Sequence, residues 1–478
     1  MIRLATGRSI NRSVKIVAST ATSTTQVRAF TNSSVNYGKS FSKKSTYDSS
    51  KNKKGSGKDL NFSKLLIKSN FKSKAKDQEI INTYENFSIN SINNELNNNK
   101  IFKYNELILK KLYISGSFVS NQYNELYSKP ITLLRELETN KILEFFNNTL
   151  NNESKKNRLI LTGESGSGKS TLITQFQSLV LENENSILLP LTNTESLVNG
   201  KFDFKLNQES NLYDQQRISK NLLRKFKSLN EDNLKKIKLS NDYTPKLESP
   251  TNSSSISNGL QTFQKNESNL FELIEYSLKN SSKINNTLVF VKIIEELTIQ
   301  SNFNIYLTID NFNALTQFSM TNYRDTKNKF IYFQNFQIIK TLTDLISGEL
   351  SFKKGGILLS TSGLYKNNDT IKIAINEIEP NHYSKFNEWD KNFTNKLNLN
   401  NGLKNLKISN FNLPQIKSLM NEFFKLNLIH NEYNLNENLI NLNNDNELFL
   451  NKFSEKKYII SGNGNPRSLI KSCVFSYV

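Results

Sequence analysis

The sequence predicts an α/β fold: a parallel-sheet core, preceded by a helical N-terminal region and followed by a mainly helical C-terminal domain. Three observations predict it. Short apolar runs that read as buried strands, at 159–161, 187–189, 304–310 and 356–362, are separated by stretches of helical periodicity. The first of these runs leads through a stretch rich in Gly and Ser directly into a helical pattern, Leu172, Ile173, Phe176, Leu179 and Val180. Near the end, Ile416, Leu419, Met420, Phe423 and Phe424 follow i, i+3, i+4, i+7, i+8 behind Pro414, an amphipathic helix.

The chain has 478 residues, enough for roughly two to four domains. Its formal net charge is +20, and apolar residues make up only 36%, so unstructured segments are expected beside the core. No run of about 18 apolar residues occurs, so no membrane span is expected. A single cysteine, Cys473, leaves no internal disulfide framework. His382 and His430 are the only histidines and read as surface or packing residues, not metal ligands.

The first acidic residue is Asp48; before it Arg3, Arg8, Arg12, Lys15 and Arg28 stand among many Ser and Thr. That is the profile of a mitochondrial transit peptide over residues 1–30, with Arg28-Ala29-Phe30 before Thr31 resembling a matrix-protease site. The mitochondrial matrix is the compartment this implies. Residues 31–75 carry Lys39, Lys43, Lys44, Lys51, Lys53, Lys54 and Lys58 among Ser and Gly, and read as a disordered basic arm. Such arms follow phosphate backbones or are simply solvated. In 76–150, Ile131, Leu134, Leu137, Ile142, Leu143 and Phe146 fit helical faces behind Pro130, a helical lead-in.

The core is placed at 151–380. Ile218, Leu222, Leu223 and Phe226 mark one helix; Leu270, Leu273, Ile274 and Leu278 another. Between them, 228–268 is dominated by Asn, Ser, Lys and Glu and reads as a disordered insertion. The mainly helical C-terminal domain is placed at 381–478.

Candidate site residues begin with Gly163-Glu164-Ser165-Gly166-Ser167-Gly168-Lys169-Ser170-Thr171, which fits G-x-x-x-x-G-K-[ST] between a strand and a helix. The glycines let successive N–H groups point inward at phosphate oxygens, and the helix N-terminus adds partial positive charge. Lys169 would reach the β- and γ-phosphates and Ser170 would hold Mg²⁺. The strand ending at Asp310 offers a carboxylate for the same ion or its water. Asn311 follows where a hydrolytic relative often has Glu; an amide orients water but takes no proton, so slow or absent hydrolysis is expected and no catalytic residue is assigned. Ser360, Thr361 and Ser362 end a further strand expected beside the Asp310 strand. Gly462-Asn-Gly-Asn-Pro-Arg467 delivers an Arg at a helix start, where a guanidinium could meet a phosphate.

Taken together, 163–170, Ile309-Asp-Asn-Phe-Asn-Ala-Leu315, Ser461-Gly-Asn-Gly-Asn-Pro-Arg467, Leu212-Tyr-Asp-Gln215 and Asn410-Phe-Asn-Leu413 resemble the death-associated protein family of the mitochondrial small ribosomal subunit, over roughly residues 100–478. The resemblance implies a P-loop NTPase core of AAA+-like type and a bound guanine nucleotide, GTP or GDP, with Mg. It also implies a structural, RNA-binding place in a ribonucleoprotein serving mitochondrial translation, with mitochondrial rRNA, neighbouring small-subunit proteins and large-subunit bridge contacts as partners. No Asn-Lys-x-Asp guanine-reading motif occurs, so the residues themselves leave ATP open. An AAA+-type ATPase or a GTPase switch acting on nucleic acid or a protein partner in mitochondria is the alternative reading.

Overall fold

The computed structural model describes residues 78–118, 122–247, 261–317, 320–365, 368–381, 383–426, 428–429 and 444–474. The expected transit peptide at 1–30, the basic arm at 31–75, His382 and His430 lie outside the described residues. The chain divides into two units: Met1–Leu60, wholly outside the described residues, and Asn61–Val478, which holds everything below.

Five parallel strands form the core sheet: β1 (Arg158–Gly163), β2 (Ser186–Leu191), β3 (Asn304–Ile309), β4 (Gly355–Ser360) and β5 (Lys404–Ile408). They lie in the order β5-β1-β4-β3-β2. The register pairs Leu161 with Ser360, Leu359 with Ile309, Leu191 with Ile309, and Gly163 with Ile408. All five carboxyl ends therefore open on one edge, where α/β sheets place their ligands.

Strands β1–β4 read as apolar runs because both faces of the sheet are covered. Successive side chains leave on opposite faces. Leu159, Leu161, Leu188, Tyr306 and Leu358 join one hydrophobic cluster; Ile160, Ile187, Leu189, Ile305, Leu307, Ile357 and Leu359 join another. Helices α1 (Glu106–Ser115), α2 (Glu136–Thr149) and α3 (Lys169–Glu182) complete the first face. Helices α4 (Gln216–Leu229), α5 (Leu270–Lys279), α6 (Asn286–Ile299) and α7 (Gln337–Ser347) complete the second. A third cluster joins α8 (Leu413–Lys425), α9 (Asn444–Ile460) and α10 (Pro466–Val474) through Ile416, Met420, Phe423, Phe453, Leu469 and Cys473. The start of α8 is set by a capping box between Asn412 and Gln415, with Pro414 in the first turn where its missing N–H costs nothing.

Three expectations are corrected. Ile131 is not helical: Ile131–Leu133 pairs antiparallel with Ile101–Lys103, and Leu137, 68% exposed, belongs to no buried face. Pro130 thus precedes a strand, with the helix waiting until Glu136. The C-terminal boundary also moves, because Lys404–Ile408 completes the core sheet as an edge strand. With buried Leu406 and Ile408 between polar residues, it lacks the apolar run of a central strand.

The expected disordered insertion at 228–268 is narrower than composition suggests. Leu234, Ile237, Leu239 and Phe263 are buried in the core cluster, and bridges tie Lys238 to Asn269, Tyr243 to Phe263 and Leu247 to Ile284. The Ser240 backbone N–H donates to the Glu296 carboxylate at 2.9 Å. Sparse apolar residues are enough to dock a strap whose average composition is polar. Residues 248–260 lie outside the described residues. Phe263→Ala is expected to cost about 3–5 kcal/mol of folding stability, as for a core aromatic. Urea unfolding of the full chain would measure it; an unchanged midpoint would mean the strap carries no packing.

Candidate functional site

The stretch 163–171 leaves β1 at the open edge of the sheet and turns into α3. Its three glycines have positive φ: 138° at Gly163, 84° at Gly166 and 97° at Gly168. Two of them also have no room for a side chain. A Cβ at Gly163 would stand 2.6 Å from the Ile408 carbonyl oxygen; one at Gly166 would stand 2.6 Å from Cβ of Arg467 and 2.7 Å from Oδ1 of Asn465. The loop is therefore shaped by backbone freedom and by close approach of both β5 and the start of α10.

Lys169 is the first residue of α3 and is almost fully buried. Its Nζ donates to the carbonyl oxygens of Gly163 (3.0 Å) and Glu164 (2.6 Å) and to Ser167 Oγ (3.4 Å). Burial pulls its pKa down to about 8 from the ordinary 10.5, with the Asp310 carboxylate holding it up and Arg467 adding to the depression. Asp310 follows β3. Burial pushes its carboxyl above the usual range, against hydrogen bonds from Ser360 and Ser170 and from the Asn311 N–H at 3.0 Å. Thr194 Oγ1 donates to the Asp310 carbonyl at 2.6 Å, tying the loop after β2 to the end of β3.

The expected neighbours of Asp310 are in place. Strand β4 runs between β1 and β3, and its Ser360 hydroxyl donates to Asp310. Thr361 Oγ1 donates instead to the Leu161 carbonyl (3.2 Å), and the Ser362 N–H donates to Oδ1 of the buried Asn313 (2.7 Å). Asn311 has a left-handed backbone, φ 58°, so the residue after the carboxylate turns sharply out of the strand direction.

From the far end of the chain, the 461–467 turn reaches the loop directly. Asn465 Nδ2 donates to the Ser165 carbonyl (2.8 Å), the Arg467 N–H to the Gly166 carbonyl (3.3 Å), and Arg467 Nη1 to Ser165 Oγ (3.4 Å). Ser165, Gly166, Gly168, Lys169, Ser170 and Thr171 share one cleft with Thr361, Ser362, Gly363 and Arg467. Glu164 and Ser167 are not among the cleft's residues: the exposed Glu164 carboxylate accepts from Asn410 (2.9 Å), and Ser167 is fully buried.

Sequence reasoning missed Arg135. It is 4% exposed, donates through Nη1 to the Ser167 carbonyl (3.1 Å) and through Nη2 to the Ser409 carbonyl and to Glu138 (2.8 Å each), and lies over the Phe411 ring. The signal was faint: one arginine closing the apolar run 131–134, with a carboxylate three residues on. Asn465 was read only as part of a turn; its contact with Ser165 has no local signature.

The loop provides positive-φ glycines at a helix start, a buried cation and a hydroxyl–carboxylate pair. A nucleotide polyphosphate with a divalent cation fits that donor set. A substitution pair separates shape from strain. Gly462→Ala, at φ 70° with nothing within 4 Å of a Cβ, should cost about 1 kcal/mol from backbone strain alone. Gly166→Ala should cost about 2–4 kcal/mol, because strain and overlap with Arg467 and Asn465 combine. Equal unfolding midpoints for the two variants would refute the close packing of α10 on the loop.

A family model described as mitochondrial ribosomal death-associated protein 3 matches residues 132–472. The small ribosomal subunit protein mS29 of Schizosaccharomyces pombe is 25% identical over 382 residues, an alignment covering 78% of this chain and 71% of that one. The family match takes in the loop at 163–171, Asp310 and Arg467 within a single span, and on that match the chain belongs to the mitochondrial ribosomal death-associated protein 3 family.

Proposed function

We propose that this chain is a structural component of the mitochondrial small ribosomal subunit, and that it holds a guanine nucleotide with Mg²⁺ in the 163–171 loop with little or no turnover. It would act in the mitochondrial matrix, in mitochondrial translation, with rRNA and neighbouring small-subunit proteins as partners. The observation that carries the ribosomal part is the family match over 132–472, supported by the name of the fission-yeast relative. The net charge of +20 suits a phosphate-rich partner.

The nucleotide part is supported by the buried Lys169, the three positive-φ glycines and the Ser170–Asp310 pair. The strand order, with β4 between the loop-bearing and Asp310-bearing strands, suits an AAA+-like P-loop core. Bound nucleotide would supply anionic oxygens and Mg²⁺ would bridge them; Lys169 and Ser170 are the residues placed to meet them. Arg467 adds a guanidinium at the same cleft. Asn311, with no acid–base capacity, favours retention over hydrolysis.

Sedimentation of mitochondrial lysate through a high-salt sucrose gradient tests the first part. The wild-type chain should comigrate with the small subunit, and Lys169→Ala should move at least partly to the top of the gradient. A wild type that stays at the top would sink the ribosomal reading. Nucleotide affinity also carries a pH signature. The free site binds anions best with Lys169 protonated, and its pKa of about 8 puts the loss of that charge within reach. Affinity for GDP should therefore fall as pH rises above about 8, approaching tenfold per pH unit at the steepest. Lys169→Arg, which stays charged, should lack that fall; equal pH profiles would remove Lys169 from the phosphate site.

A further inference from the structure

The phosphate reading leaves part of the cleft without a role. Besides the loop, it is lined by Gln122 and Tyr123 from the N-terminal region and by Pro466 and Ile470 from α10. Gln122 is fixed to α3 beyond its first turn. Its Nε2 donates to the Ser117 carbonyl (3.2 Å), which also accepts from Thr174 Oγ1 (3.4 Å). Gln122 thus reaches the cleft beside α3, and α10 reaches it beside Ser165 and Gly166, whereas Thr361 and Ser362 reach it from the end of β4, beside Asp310. A nucleotide whose terminal phosphates meet Lys169 and the Ser170–Asp310 pair would direct its nucleoside away from β4, toward Gln122, Tyr123 and Ile470.

Two details mark this side as built for a flat polar ligand. Every non-glycine residue with a left-handed backbone among the described residues is an asparagine, except Tyr123, at φ 57°. Asparagine tolerates that conformation through its short polar side chain, whereas tyrosine adopts it rarely, and Tyr123 lines the cleft. Gln122 is half satisfied by its neighbours: Oε1 accepts from Asn124 Nδ2 (2.9 Å) and one N–H goes to Ser117. One N–H and one lone pair of the same amide remain, the pairing that a purine edge with adjacent donor and acceptor atoms matches.

We propose that Gln122 and Tyr123 form the base subsite of this cleft: Tyr123 and Ile470 pack on the faces of a purine, and the Gln122 amide meets its polar edge. This rests on the nucleotide reading above. An amide with one free donor and one free acceptor pairs with either purine, since guanine (O6 and N1–H) and adenine (N1 and N6–H) each offer an acceptor beside a donor.

The test is competition binding on the full-length chain, with a fluorescent GDP displaced by GDP, ADP and inorganic tripolyphosphate. Gln122→Glu exchanges the remaining donor for an acceptor, which suits the adjacent ring and amino N–H donors of guanine and not the edge of adenine. It should shift the GDP-to-ADP preference toward GDP by about tenfold. Tyr123→Ala should weaken both diphosphates by about tenfold through lost stacking. Tripolyphosphate, which has no base, should compete equally in all three proteins. Unchanged nucleotide preference and affinity in both variants, with tripolyphosphate still competing, would overturn the base subsite and leave the phosphate site standing. So would a wild type that binds tripolyphosphate as tightly as GDP. If the wild type binds neither nucleotide nor tripolyphosphate, the nucleotide reading fails and takes this inference with it.

Discussion

A buried ammonium must have acceptors around it, and Lys169 is the point on which the rest of this structure depends. Its partners are the loop's own carbonyl oxygens, and the Asp310 carboxylate stands close enough to favour its charge. Asp310 is itself nearly buried and is kept ionisable by donors from β4, α3 and its own backbone turn. Neither charge would be tolerated in the interior alone. The carboxyl ends of β1, β3 and β4 therefore have to stand in register, and the parallel sheet with both faces covered delivers that.

Around this pair, parts of the chain far apart in sequence converge on one loop. Arg135 holds the Ser167 carbonyl from the N-terminal side and the Ser409 carbonyl just after β5. Asn465 and Arg467 hold Ser165 and Gly166 from the start of α10. Each contact ends on a backbone carbonyl or a small side chain of the loop or its neighbours. A loop braced in this way is held in one shape, and under the proposed nucleotide reading the ordering cost on binding would be small.

The same economy appears in the strap at 230–247 and 261–268. Its few apolar side chains fill the face of α5 and α6, while Ser240 donates to Glu296 on α6. The polar remainder is left to the surface. For a chain with apolar content of 36%, such sparse anchoring is how a large core is closed with few hydrophobic residues.

Much of this was legible in the residues. The apolar runs at 159–161, 187–189, 304–310 and 356–362 are strands because residues covered on both faces leave a continuous signal. The loop is legible because its glycines, Lys169 and Ser170 act locally, at fixed spacing. The amphipathic pattern of α8 and the capping residues before it are local too. The edge strand at 404–408, the docked strap and the strand at 131–133 were not legible: their apolar residues are few, and which face they bury depends on a partner distant in sequence. Arg135, Asn465, Gln122 and Tyr123 were missed for a related reason. A hydrogen bond from residue 465 to residue 165, or an amide carried to a cleft by a loop stapled to a helix, has no period and no motif. Local backbone chemistry was determined by the sequence alone; which side chains meet at the loop was decided only when the sheet, the N-terminal region and the last helix packed together.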